Sequence, residues 1–426
     1  MSFKIAIIGA GSVGFTKKLF TDILCVPEFR DIEFALTDLS EHNLGMIKAI
    51  LDKVVEANGL PTRVTATTDR RKALDGARYI ISCVRVGGLE AYADDIRIPL
   101  KYGIDQCVGD TICAGGILYG QRNIPVILDF CKDIREVAAT GAKFLNYANP
   151  MAMNTWAAIA YGKVDTVGLC HGVQHGAEQI AEVLGAKSRH ELDYVCSGIN
   201  HQTWFIDLRL NGRKIGKDEL VAAFEAHPVY SQQEKLRIDV LKRFGVYSTE
   251  SNGHLSEYLP WYRKRPDEIT RWIDSHFNVR NNGVITNLPQ DAIIESPGFV
   301  DRFGINMAAG ITLPEACAAT CMSSINVQRM SVHAAVSGDI DLLKLAVLHD
   351  PLVGAVSTPE EVWQMVDEMV VAQAQWLPQY AHAVPAAKER LSKSAVKTRE
   401  WAGAARRNVR SIEELRAEKA ALKQAG

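Results

Sequence analysis

The first half of the chain reads as short apolar runs separated by helical stretches. Lys4-Ile5-Ala6-Ile7-Ile8 forms an unbroken run, the pattern of a parallel strand covered on both faces. Further strands are predicted over Ile32–Thr37, Arg63–Thr67 and Tyr79–Val84, the last entered through Asp75-Gly76-Ala77. A helix over 122–138 leads to a strand at Lys143–Tyr147, and Val167-Gly168-Leu169 makes a short final one. Strands alternating with helices predict an α/β fold, a doubly wound parallel sheet. The second half reads as α+β. Strands are expected over Tyr194–Ile199 and Trp204–Leu210, a helical segment near 231–244, and long helices over 313–337 and 358–383. The expected organisation is a Rossmann-type domain over 1–195, an α+β substrate and metal domain over 196–385, and a tail over 386–426. From Lys388 that tail carries eleven Lys/Arg against five Asp/Glu with little apolar stripe, which predicts a solvated or subunit-contacting basic helix.

The junction after the first strand carries chemistry. Gly9-Ala10-Gly11-Ser12-Val13-Gly14-Phe15 follows directly, and a helical pattern continues through Phe20 and Leu24. Strand, G-x-G-x-x-G and helix in that order form a dinucleotide site, because the glycines let backbone amides approach a pyrophosphate. Gly9, Gly11, Ser12, Gly14 and Phe15 are therefore candidate cofactor residues. The second strand ends in Asp38, whose carboxylate suits ribose hydroxyls and would repel a 2′-phosphate. The cofactor expected is NAD rather than NADP.

Composition narrows the class. The 426 residues carry 48 basic and 50 acidic side chains, so no field suited to nucleic acid or membrane is built in. No apolar run approaches the roughly twenty residues of a membrane span, and no secretory signal precedes the first strand. Nine scattered cysteines, an odd number, argue against a disulfide framework. A cytoplasmic protein is expected.

Cys170-His171 and His201 add a second chemistry. A thiolate and an imidazole suit borderline-soft divalent ions, and two protein ligands leave positions open for substrate and water, as in catalytic sites. The spacing fits no zinc-finger pattern, and a buried cysteine with a core histidine would give the same letters. Arg85, Asn149 and Cys170 all fall at predicted strand ends, where ligands of open α/β sheets gather.

Several segments occur here in a familiar order: Gly9-Ala-Gly-Ser12, Asp110-Thr111 with Gly115-Gly116, Asn149-Pro-Met151, Cys170-His171 and Gly198-Ile-Asn-His201. In this the chain resembles glycoside hydrolase family 4. Asn149–Trp156, Thr249-Glu-Ser251 with His254 and Glu257-Tyr258, Asn278–Asn281, Asn287-Leu-Pro289 and Trp376-Leu-Pro378 are similar to its melibiase-like α-galactosidase branch. The resemblance covers roughly residues 3–380. It implies a lactate/malate dehydrogenase-like fold, NAD, and a divalent metal, usually manganese. It also implies an α-glycosidase outside the two-carboxylate scheme. Hydride passes from sugar C3 to NAD, a base removes the acidified C2 proton, and the aglycone leaves from C1. Water then adds with retention and hydride returns to C3. The expected substrate is a small-molecule α-glycoside, and the expected assembly a homodimer or homotetramer.

The resemblance also assigns roles. Cys170 and His201 match the metal ligands, and His171 stands at the family's proton donor. Tyr258 is the candidate C2 base, with Tyr247 and His254 as alternatives; a phenol serves only if its pKa, ~10 unperturbed, is lowered. Asp110 matches the residue that tunes the base. Asn149 matches a substrate-binding asparagine, and Arg85 and Arg280 are further substrate candidates. Three departures stand out. Cys113-Ala-Gly-Gly116 replaces Gly-Pro-Gly-Gly and offers Cys113 as a candidate redox-sensitive thiol, Arg85 stands where that branch often has glutamine, and the segment between Pro260 and Asn278 is short. The alternatives are an α-glucosidase or α-glucuronidase of the same family, an NAD-dependent hydroxy-acid dehydrogenase, or a non-catalytic NAD-binding regulator.

Overall fold

A computed structural model of the chain describes residues 3–170, 172–272, 287–289, 291–301, 304–308, 310–401 and 403–404. Contacts divide it into two compact units, residues 1–85 with 123–169, and residues 86–122 with 170–426.

The first unit is built on six parallel strands, β1 Lys4–Ile8, β2 Glu33–Thr37, β3 Arg63–Thr67, β4 Tyr79–Ser82, β5 Lys143–Asn146 and β6 Thr166–Gly168. They lie in the order β3-β2-β1-β4-β5-β6, the Rossmann arrangement, with its switch point between β1 and β4. Alternation along β1 shows why the run is apolar throughout. Ile5 and Ile7 pack with Phe20, Leu44 and Ile47 from helices Val13–Leu24 and Glu41–Ala57. Ala6 and Ile8 face the other way, onto Ile127, Phe130 and Ile134 of helix Cys113–Val137 and Ala158 of helix Met151–Ala160. A strand buried on both faces has no position for a polar side chain.

The second unit contains an antiparallel hairpin, β7 Leu192–Ile199 and β8 Gln202–Leu210, flanked by β9 Arg213–Lys214 and β10 Tyr247–Ser248. Its core gathers Phe205, Leu208, Phe224, Ile238, Leu241 and Tyr247 against helices Gly172–Val183, Lys217–Ala226 and Lys235–Phe244. A two-stranded ribbon, β11 Gly298–Asp301 and β12 Gly304–Met307, precedes helix Glu315–Ser337.

Three elements depart from expectation. The helix expected over 122–138 begins at Cys113. The helix expected over 358–383 stops at Ala372 and gives way to short 3-10 turns at Ala374–Trp376 and Pro378–Tyr380, since the residue before a proline avoids the helical region. The tail helix covers only Val384–Lys393. Beyond it the chain is held by backbone contacts, Arg399 N donating to Lys101 O at 2.8 Å; residues 405–426 lie outside the described ones. Among the described residues no helix is long and apolar enough to cross a membrane.

Candidate active site

In the first unit the dinucleotide motif has the expected shape. Gly11 N donates to Asp38 Oδ2 at 2.8 Å, and a Cβ on Gly11 would lie 2.7 Å from that oxygen. Any larger residue would push Asp38 away. Ser12 caps helix Val13–Leu24 without a side-chain hydrogen bond, and no acidic residue sits in the first turn, so the helix's positive end is left for an anion. Phe15 packs edge-on against Tyr147 at 5.1 Å. A Cβ on Gly14 would meet open space; close packing does not require glycine there. Arg85, three residues beyond β4, and Asn149, three beyond β5, are half-buried in this same unit. Asn149 accepts through its carbonyl from Asn123 Nδ2 at 2.7 Å.

The second unit assembles the remaining chemistry from four places in the chain. Cys170 follows β6. His201 occupies the two-residue loop between β7 and β8 with φ 63°, a left-handed conformation that costs a non-glycine residue of order 1–3 kcal/mol. Asp110 and Thr111 precede helix Cys113–Val137. Glu250 follows β10, where Thr249 N donates to Thr203 O at 3.0 Å. Cys170 Sγ lies 3.7 Å from His201 Nε2, and Glu250 Oε1 lies 4.0 Å from the same nitrogen. Ligand atoms of the three fall within 4.8 Å of one another.

The other imidazole nitrogen fixes the tautomer. Thr111 Oγ1 donates its single hydrogen to Asp110 Oδ1 at 2.8 Å and lies 2.9 Å from His201 Nδ1. A hydroxyl that donates to a carboxylate can only accept from the imidazole, so Nδ1 carries the proton. Nε2 then presents its lone pair to Cys170 and Glu250. An imidazole held in this way by an outer partner is characteristic of metal-ligating histidines.

Around this triangle the groups are buried. His254 packs at a tilt against His201 with ring centres 4.2 Å apart, and its Nε2 is 3.9 Å from Asp110 Oδ1. Asp110, His201 and His254 form a second potential ligand group. Glu257 Oε1 accepts from the backbone N–H groups of Cys107, Val108 and Gly109 at 2.7, 2.8 and 3.2 Å, so it clamps the loop that delivers Asp110. Burial pushes its carboxyl above the usual range. Tyr258, on helix Asn252–Tyr258, is buried as well. Burial first, then the carboxylates of Asp110, Glu257 and Glu250, hold its phenol well above its ordinary pKa. The protein groups alone thus keep Tyr258 protonated, and only a nearby cation reverses that direction. Tyr247 is a core ring, stacked on Phe224 at 4.5 Å with the Arg237 guanidinium over it.

The departure at 113–116 falls on a turn whose backbone would suit glycine. Cys113 has φ 61°, a conformation suited to glycine, and its amide donates to Asp350 Oδ2 at 2.8 Å. A Cβ on Gly116 would lie 2.6 Å from the Thr111 carbonyl carbon, so the loop carrying Thr111 sits directly on the helix's first turn. Cys113 is fully buried, and burial with the Asp350 and Glu257 carboxylates pushes its thiol well up. Both disfavour the thiolate that a redox-sensitive cysteine needs. His171 and Arg280 lie outside the described residues.

A cavity of about 310 Å³ adjoins the triangle, with Gly172, His175, Gln179, Arg237, Glu250 and Ser251 among its walls, within the range of small-molecule sites. A larger one of about 530 Å³, by Trp363, Asp367 and Arg390, holds none of these residues. Chemistry, not size, selects the former.

A Rossmann-type sheet with an acidic residue at its nucleotide turn in the first unit, and a cysteine–imidazole–carboxylate triangle in the second, define a dinucleotide-fold protein with a candidate transition-metal centre. Residues 4–186 match the model of the family 4 glycosyl hydrolases, and 196–276 with 270–353 match that of the family 4 glycosyl hydrolase C-terminal domain. The chain belongs to family 4 of the glycosyl hydrolases. It is 77% identical to an α-galactosidase of Rhizobium meliloti (strain 1021) over 99% of each chain. It is 30% identical to an α-galactosidase of Bacillus subtilis (strain 168), covering 88% of this chain and 99% of that one. The fold is similar to the 6-phospho-β-glucosidase of Thermotoga maritima solved with manganese, NAD+ and glucose-6-phosphate: TM-score 0.74 and 20% identity, covering 88% and 99% of the two chains. The two C-terminal matches overlap at 270–276.

Proposed function

We propose that this protein is an α-galactosidase that uses NAD and a divalent metal, manganese by preference, to cleave small-molecule α-galactosides with retention. The observation that carries the reading is the Thr111–His201 hydrogen bond, which leaves Nε2 as an acceptor facing the Cys170 thiol, in a chain 77% identical to an α-galactosidase. The donor set fits the metal, since thiolate and imidazole suit first-row divalent ions. When bound, NAD supplies a hydride acceptor for sugar C3 and later the donor, and the metal supplies a Lewis acid for the C2 and C3 oxygens.

The residues do the rest. Gly9, Gly11, Ser12, Gly14 and Phe15 receive the dinucleotide, with Asp38 on the ribose. Cys170 and His201 hold the metal. Tyr258 removes the C2 proton, with Asp110 tuning it and His254 packed beside the same histidine. His171 protonates the departing oxygen at C1. Asn149, Arg85 and Arg280 orient the sugar. The nine cysteines are all free thiols, which supports a reducing, cytoplasmic setting. Near-balanced charge supports a partner list without nucleic acid or membrane, and the family resemblance supports a homodimer or homotetramer.

The test is a panel of 4-nitrophenyl α-galactoside, α-glucoside and α-glucuronide with NAD and Mn2+, following both nitrophenol and NADH. Release from the galactoside without net NADH supports the reading. Preferential cleavage of the glucoside or glucuronide moves it within the family, and stoichiometric NADH returns the dehydrogenase.

A further inference from the structure

The proposed use of a divalent metal rests, up to this point, on two protein ligands. The site holds a third donor that faces the same point. Cys170 Sγ, His201 Nε2 and Glu250 Oε1 form a triangle with sides of 3.7 Å, 4.0 Å and at most 4.8 Å. The centre of such a triangle is about 2.5 Å or less from each corner, close to the lengths of divalent metal bonds to sulfur, nitrogen and oxygen.

Two further observations aim Glu250 there. With its proton on Nδ1, His201 can ligate only through Nε2, and Nε2 is the atom that Glu250 faces. This selects the triangle with Cys170 and Glu250 over the one with Asp110 and His254. Glu250 is 1% exposed, and a divalent ion beside it would offset part of the several kcal/mol that burying a carboxylate costs.

We infer that Glu250 is a third protein ligand of the metal, making the site a thiolate–imidazole–carboxylate triad for a first-row divalent cation. Thiolate and carboxylate together carry two negative charges, which balance the ion's charge in a water-poor site. Three protein donors leave the remaining positions for two sugar oxygens and a water, an open site. The carboxylate also shifts the donor set toward oxygen and so toward Mn2+ relative to softer ions.

The experiment titrates Mn2+ into chelator-stripped full-length protein, without NAD or sugar, by calorimetry and by the EPR signal of free Mn2+. Wild type, Glu250→Gln, Cys170→Ser and Thr111→Ser are compared, each first shown to melt cooperatively in chelator. Glu250→Gln is expected to weaken Mn2+ binding by more than the roughly 10–100-fold loss typical of an outer partner, and to abolish the Mn2+-induced rise in Tm. Wild-type affinity in Glu250→Gln overturns the inference. If Cys170→Ser loses Mn2+ while Glu250→Gln keeps it, only the third ligand falls and the two-ligand reading stands. If wild type binds no Mn2+, the metal reading itself falls and this inference with it. Should Glu250→Gln not fold, Glu250→Asp replaces it. The shorter reach is expected to weaken binding at unchanged Tm in chelator, and wild-type affinity overturns the inference.

Discussion

Thr111 offers the sharpest test of how the site is held, because its hydroxyl makes two buried hydrogen bonds that valine would lose. Thr111→Val keeps the shape and removes the acceptor 2.9 Å from His201 Nδ1 and the donor 2.8 Å from Asp110 Oδ1. In the metal-free protein the imidazole avoids an unsatisfied Nδ1–H by moving its proton to Nε2. Metal binding needs the Nε2 lone pair and forces the proton back to Nδ1, where nothing now accepts it. The penalty of a buried unsatisfied donor, about 1–3 kcal/mol, therefore falls on metal affinity. It corresponds to roughly 5- to 150-fold weaker binding. Mn2+ titration of Thr111→Val against Thr111→Ser reads it directly, since serine keeps the hydroxyl. The reasoning is refuted if Thr111→Val binds Mn2+ like wild type, or if Thr111→Ser loses as much as Thr111→Val.

Other expectations follow from the same geometry. Asp350, buried and accepting from the amides of Cys113, Leu352 and Val353, has its pKa raised to about 6. Its folded value lies above its unfolded one, so its contribution is full below about pH 4 and is lost as pH rises through 6. By linkage, the stability of wild type relative to Asp350→Asn should fall by up to about 3 kcal/mol from pH 4 to 6.5, read by denaturant melts; a flat difference defeats the assignment. Arg122 and Asp95 are fully buried and doubly bonded at 2.9 and 2.6 Å. Arg122→Ala should cost about 3–5 kcal/mol by stranding Asp95, and Arg122→Met/Asp95→Leu should recover most of that in a thermal melt. Asp38→Ala should erase the preference for NAD over NADP in fluorescence titrations, and a preserved preference would assign it to another residue.

What could be read from the chain depended on whether burial leaves a local trace. β1, β2 and β4 were legible because strands covered on both faces must be apolar, and the half-exposed edge strand β3 still matches its expected bounds, Arg63–Thr67. The start of helix Cys113–Val137 was hidden because its first turn reads Ala-Gly-Gly, a loop composition that the crowding of Gly116 against Thr111 requires. Pro125 inside that helix gave a further false signal. It leaves the Gln121 carbonyl without a helical donor, and Gln379 Nε2 supplies one at 2.7 Å. At the site, Cys170 and His201 stood out by residue type. Glu250, Thr111 and Glu257 were visible only as letters within motifs, because a carboxylate or hydroxyl gains its meaning from a partner some fifty to 150 positions away. The preference of His254 over Tyr247 beside the site likewise rests on packing that no local pattern encodes.

In the proposed mechanism, glycosidic cleavage proceeds through removal of the C2 proton. It is tested most directly by hydrolysing 4-nitrophenyl α-galactoside in deuterium oxide with NAD, Mn2+ and a thiol reductant, and examining the sugar by NMR. Deuterium at C2 of the released galactose, with cleavage dependent on both NAD and Mn2+, is the predicted result. Cleavage that leaves hydrogen at C2 contradicts it.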